Sequence, residues 1–216
     1  GLGTASELYP AALNEICNGH GGYLLLTDHL DDDDQFKLAK YFLQIQAGVN
    51  NEEIVVDPSG YVHQGATVKI PFYLNEGDIS ADVLTLTPMR EILHIALETP
   101  NGDIIDDNNL IDFPGIKRVH GEHISFFRMS LPVENAKGIS GHAGKWNLVL
   151  KVNDRYYKKY LSGLSKNKDA YTTAVTHGVS YTALIHAYSN LRMRVTVAQN
   201  SYEPGAVISI NSYLTE

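Results

Sequence analysis

From about Ile54 the chain alternates apolar and polar positions with a period of two. Val68, Ile70, Phe72 and Leu74 interleave with Thr67, Lys69, Pro71 and Tyr73, and Leu93, Ile95 and Leu97 with His94, Ala96 and Glu98. Ile124, Phe126 and Arg128 run opposite Ser125, Phe127 and Met129, and Trp146, Leu148, Leu150 and Val152 opposite Asn147, Val149 and Lys151. Successive side chains of a strand point to opposite faces, so each run predicts a strand with one buried face. Turn-forming clusters separate them: Asn75-Glu76-Gly77-Asp78, Pro100-Asn101-Gly102-Asp103 and Gly141-His142-Ala143-Gly144. Short strands at this spacing predict an antiparallel sandwich with Trp146, Leu148, Leu150, Phe72 and Leu97 in its core. Pro71 cannot donate to a ladder, which puts its strand at an edge or at a bulge.

The pattern before Ile54 is different. Ser6 is a candidate N-cap, Leu8, Ala11, Ala12 and Ile16 mark one apolar side of a helix, and Gly19 is its stop signal. Tyr23-Leu24-Leu25-Leu26 is a continuous apolar run, as in a parallel strand covered on both faces. After Asp31-Asp32-Asp33-Asp34, the residues Phe36, Ala39, Leu43 and Ala47 recur at helical spacing up to Gly48. Residues 154–177 are polar, rich in Tyr, Lys and Ser, and without a clear period, which reads as a linker or loop. Leu191, Met193, Val195 and Val197, then Val207, Ile208 and Ile210, give two more strand signals. The expected organisation is therefore α+β: a partial α/β segment over 1–50, an immunoglobulin-like antiparallel sandwich over 51–153, a linker over 154–177, and strands over 178–216 that complete the sandwich or start a further domain.

The segment 1–48 resembles the C-terminal end of a von Willebrand factor type A domain. The residues that carry the likeness are Ala12-Leu13-Asn14-Glu15-Ile16-Cys17, then Gly21-Gly22-Tyr23-Leu24-Leu25-Leu26, then the final amphipathic helix. The resemblance implies a doubly wound α/β fold. That family's adhesion site is an Asp-x-Ser-x-Ser magnesium site; the motif is absent here, so none of its ligands carries over. From about Glu52 the chain is similar to the β-rich region following type A domains in bacterial surface proteins and in calcium-activated chloride-channel regulators, through Gly144-Lys145-Trp146-Asn147-Leu148. The regulators' His-Glu-x-x-His protease motif is also absent.

Composition narrows the function classes. The chain has 216 residues and a formal net charge of −8, which opposes general binding to nucleic acid or anionic membranes. No apolar run approaches the ~20 residues of a membrane-spanning helix. One cysteine, Cys17, excludes an internal disulfide. It lies on the apolar side of the first helix, as an inert buried thiol does. No Gly-x-Ser-x-Gly, dinucleotide fingerprint or phosphate loop occurs. Nine histidines raise a zinc reading, yet His120 and His123 point to opposite faces on a strand and pair only if they flank a turn.

Two constellations remain. Asp103, Asp106, Asp107 and Asp112, with Asn108 and Asn109, form an oxygen-rich loop that makes calcium the one cofactor left open, although the Asp-x-Asp-x-Asp-Gly spacing is missing. The run Arg155-Tyr156-Tyr157-Lys158-Lys159-Tyr160, with Arg192 and Arg194 sharing a strand face, suits an acidic protein partner or a solvated linker. The expected class is a non-enzymatic binding, adhesion or assembly module of a larger cell-surface, periplasmic or secreted protein. The alternative is a regulatory or accessory domain of a hydrolase whose catalysis lies elsewhere. Residues 1–48 cannot bury their apolar sides alone, so they are expected to dock through Leu13, Ile16, Phe36, Phe42 and Leu43 or to self-associate through Tyr23–Leu26, the alternative being dependence on upstream sequence.

Overall fold

The computed structural model describes residues 12, 35–49, 53–134, 141–199 and 204–215. In chain order they form α1 (Gln35–Val49), β1 (Glu53–Val56), β2 (Ser59–Val62), β3 (Thr67–Leu74), β4 (Asp78–Leu86), β5 (Leu93–Glu98) and β6 (Ile104–Ile105). Then come β7 (Ile116–His120), β8 (Ile124–Ser130), β9 (Gly144–Val152), α2 (Asp154–Gly163), α3 (Lys168–His177), β10 (Val179–Ser189), β11 (Arg192–Gln199) and β12 (Ile208–Thr215). The fold is β-rich α+β. One sheet has the order β1-β10-β4-β8-β7, with β2 sharing the β1 edge of β10; a second has the order β3-β9-β5-β6. All pairs are antiparallel. β11 and β12 form a separate two-stranded ribbon.

The alternating runs become the strands they predict. Ile70 lies opposite Leu148 and Phe72 opposite Trp146, and Leu148 faces Leu97 on its other side. Phe72, Leu97, Trp146, Leu148 and Leu150 are all buried in one core shared by the two sheets. Burying each such side chain contributes about 1.5–3 kcal/mol. The polar atom of Trp146 is satisfied too, its Nε1–H donating to the His142 carbonyl at 2.7 Å. Pro71 sits on β3, an edge strand as expected.

The sequence pattern does not show β4 and β10. These are central neighbours in the larger sheet, and both their faces are covered. Val83 opposite Ile185 faces the shared core, while Leu84 opposite Leu184 lies on the other face, and all four are buried. A strand covered twice has no polar phase, so its period disappears. Helix α1 packs against that outer face through contacts with β10, β1 and β4. Ala47 is only 1% exposed there. Lys40 and Gln44 reach the connection between β1 and β2: Lys40 Nζ donates to the Asp57 carbonyl and Gln44 Nε2 to its carboxylate at 2.6 Å. Phe42, expected in the docking face, is 59% exposed instead, and Leu43 is half-buried. Apart from Ala12, which is helical, the expected first helix lies outside the described residues, as do the strand Tyr23–Leu26, the four aspartates and Cys17.

Residues 154–177 are not a loop, which corrects the expectation. They form two short helices whose starts are set by asparagine caps. The Asn153 side chain accepts from Arg155 N–H at 3.2 Å and the Asn167 side chain from Ala170 N–H at 3.1 Å. Tyr157 anchors the pair, donating its hydroxyl to the Ala174 carbonyl at 2.8 Å inside the core. The connection then turns at Gly178 and returns as β10. The two-sheet body therefore does not close at residue 153; its larger sheet needs 179–189.

Candidate functional site

The acidic loop between β5 and β7 spends its oxygens on itself. Asp106 accepts from Asn108 N–H at 2.8 Å and from Asn108 Nδ2 at 3.2 Å. Asn109 accepts from Asp106 N–H and donates to the Ile104 carbonyl at 2.6 Å. Asp107 pairs with Arg118 at 2.7 Å. Asp103 sits in the turn tied to Thr99, and Asp112 is exposed in the short helix Leu110–Asp112. The four aspartates are thus spread along the loop rather than pointed at one centre. No group of three or more His, Cys, Asp or Glu that could hold a metal occurs among the described residues.

Beside this loop lies a cleft of about 500 Å³. Its floor is the outer face of the second sheet, where Ala96 lies opposite Val149 and His94 opposite Lys151. The loop Asp106–Asn108 forms one wall with Arg118 and His120 of β7; Arg90, Glu91 and Tyr156 of α2 complete the rim. Ile116, Arg118 and His120 share the inward phase of β7, so two polar side chains enter where a core strand would place apolar ones. The Arg118 side chain is 6% exposed. Its guanidinium lies 4.8 Å from the Phe127 ring centroid, and its Nε–H reaches Ser125 Oγ at 3.4 Å. Burial lowers its affinity for the proton, while Asp107 and Asp106 oppose that loss.

His120 Nδ1 lies 3.1 Å from Ser125 Oγ. A serine beside a histidine is the start of a nucleophilic arrangement. Here Ser125 is 3% exposed, closed to a substrate. Burial, then the charges of Arg118 and Arg90, push the His120 pKa below its ordinary value, against smaller opposing effects of Asp107 and Glu91. The neutral imidazole is therefore favoured. His120 and His123 do flank the β7–β8 turn, but His123 Nδ1 lies 2.9 Å from the Pro88 carbonyl, so the two rings serve different partners.

Compared with protein-family models and with curated proteins, the chain matches none. No helix among the described residues is long and apolar enough to cross a membrane.

The expected partner residues fall in two places. Arg155, Lys158 and Lys159 are exposed on α2, the Arg155 guanidinium lying 6.0 Å from the Tyr156 ring centroid. Arg192 and Arg194 lie on β11, paired with Thr215 and Tyr213. Sequence reasoning missed Arg118, and weighed His120 only as a zinc ligand beside His123. Their signal was a charge and an imidazole at the same strand phase as the buried Ile116.

The ribbon carries a second feature. Val195, Val197, Ile208, Ile210 and Leu214 all fall on one face by register, opposite the face of Arg192, Arg194, Ser209 and Asn211. Those five apolar side chains are 48–69% exposed.

Proposed function

We propose that this chain is a binding or assembly module of a larger surface or secreted protein, working through apolar contact with a protein partner. One observation carries the reading: the β11–β12 ribbon is amphipathic with its apolar face uncovered. A folded protein exposes single apolar residues freely, but a strand-patterned face of five of them marks a surface made to be covered. The two-sheet body would be an immunoglobulin-like support, and α1 the final helix of a type A-like segment held on it. Supporting the second point are the packing of α1 on β10, β1 and β4 and its tether to Asp57.

Without its natural partner, such a face is expected to meet another copy of itself. Analytical ultracentrifugation across a concentration series should show reversible association of the full chain, lost in the double variant Val197→Asp/Ile210→Asp. A chain that stays monomeric throughout and leaves the fluorescence of an apolar dye unchanged overturns the reading.

A further inference from the structure

The three turn clusters that separate the alternating runs meet at one end of the two-sheet body. His142 Nε2 lies 2.8 Å from the Asn75 carbonyl, and a Cβ on Gly144 would lie 3.2 Å from Pro100 Cβ. Between them is a cavity of about 430 Å³ with Phe113, Pro132 and Trp146 as apolar walls. Glu76 and Asp103, both exposed, also line it, and no Lys or Arg does so among the described residues. Neither carboxylate has an ion pair or hydrogen bond among those residues. Lys145 takes the opposite phase of β9 from the buried Trp146 and lies outside the lining. His142 lines the cavity too and is only 9% exposed. The Asn75 carbonyl can only accept, so Nε2 carries the hydrogen. Nδ1 of the neutral ring is then an acceptor, and it has no partner among the described residues. A buried acceptor beside two uncommitted carboxylates suits a ligand that brings N–H donors and positive charge.

We propose that this cavity binds a cationic group on an aliphatic stem, an ammonium or guanidinium such as a basic peptide side chain or a polyamine carries. Glu76, Asp103 and His142 Nδ1 receive its N–H groups, and Phe113 and Pro132 face its stem. The proposal goes beyond the ribbon reading and is independent of it, because the two surfaces share no residue. The net charge of −8 assists the approach of a cation, while the carboxylates and the imidazole fix where it is held.

The test is fluorescence anisotropy with dye-labelled, amidated Gly-Gly-Arg-Gly-Gly in about 150 mM salt, where distant charges are screened. The full chain should bind saturably, and the Val197→Asp/Ile210→Asp variant equally well, which separates this site from the ribbon. The same peptide with uncharged citrulline in place of arginine should bind at least about tenfold more weakly. Glu76→Gln and Asp103→Asn, which keep the side-chain shape, should each weaken binding by about tenfold. Glu122→Gln, in the β7–β8 turn, and Lys137→Ala, between Val133 and Gly141 in the sequence, should each change it by less than about twofold. Spermidine should displace the peptide. Displacement at lower concentration than by the unlabelled arginine peptide assigns the site to free polyamines, and the reverse order to a basic side chain; both outcomes support the site. Absence of saturable binding overturns the proposal, as does equal binding of the citrulline peptide. So does an equal loss in Glu122→Gln, which would mean unspecific charge attraction, or a marked tightening in Lys137→Ala, which would mean that the chain's own lysine fills the cavity.

Discussion

Gly178 is where a single atom decides whether the connection from α3 can return as β10. Its φ is +92°, and a Cβ there would lie 2.2 Å from the Val62 carbonyl oxygen. Gly65 has a similar φ of +78° but nothing within 4 Å of such a Cβ. Gly65→Ala should cost about 1 kcal/mol, the backbone penalty alone. Gly178→Ala should cost at least about 3 kcal/mol, because β2 must also move away from β10. Urea midpoints of the two variants measure the difference, and equal midpoints would refute the steric account. His120 sets a second expectation at this scale. Its pKa is lower in the folded chain than in the unfolded one, so the unfolded chain binds the proton more readily. The native state therefore keeps its full stability above about pH 6.5 and loses part of it as pH falls through the folded pKa. His120→Gln should flatten the melting temperature against pH below about pH 6.5; an unchanged slope would place the dependence elsewhere.

At the scale of elements, α1 converts a sheet face into an interior. Leu84 and Leu184 are 5% and 0% exposed on the face that α1 packs against, and Lys40 and Gln44 fix the helix to Asp57. A chain beginning at Glu53 lacks that cover. It should unfold at lower urea, by about 3 kcal/mol or more, and bind an apolar dye. Equal stability and solubility would show the N-terminal segment to be dispensable. The paired helices α2 and α3 follow another logic. Their caps, Asn153 and Asn167, and the buried Tyr157 hold them, although most of their surface is polar. Nothing in the apolar spacing of 154–177 announces two helices. The two asparagines, each followed by an acidic residue within two positions, were the available signal.

For the molecule as a whole, the two sheets and the ribbon are separate in pairing: among the described residues, β11 and β12 bond to each other and to no strand of the body. Charges placed on the ribbon should leave the body's core untouched. The Val197→Asp/Ile210→Asp variant should thus keep the urea midpoint of the body within about 0.5 kcal/mol while losing association. A large drop would mean that the ribbon's apolar face supports the body itself. The cleft lies elsewhere, walled by β7 of one sheet and floored by β5 and β9 of the other. It exists only because the edge of one sheet comes alongside the outer face of the other.

The sequence alone determined four of the strands with one wet face. Period two in β3, β5, β8 and β9 fixed both their existence and the phase that buries Phe72, Leu97, Trp146 and Leu148, because an apolar side chain on the wrong phase would stand in water. It also flagged the Asp106–Asp107 loop, as a calcium loop, and the Arg155–Tyr156 run, as a partner surface or a solvated linker. Only tertiary structure decided the rest. β4 and β10 were silent because α1 and the second sheet dry both their faces. Arg118 was silent because a charged residue in a strand reads as solvent-facing until Asp107 and Phe127 are brought to it. A local pattern records how many faces of an element meet water, whereas which distant element covers a face, and which charge answers a buried charge, is settled by long-range packing.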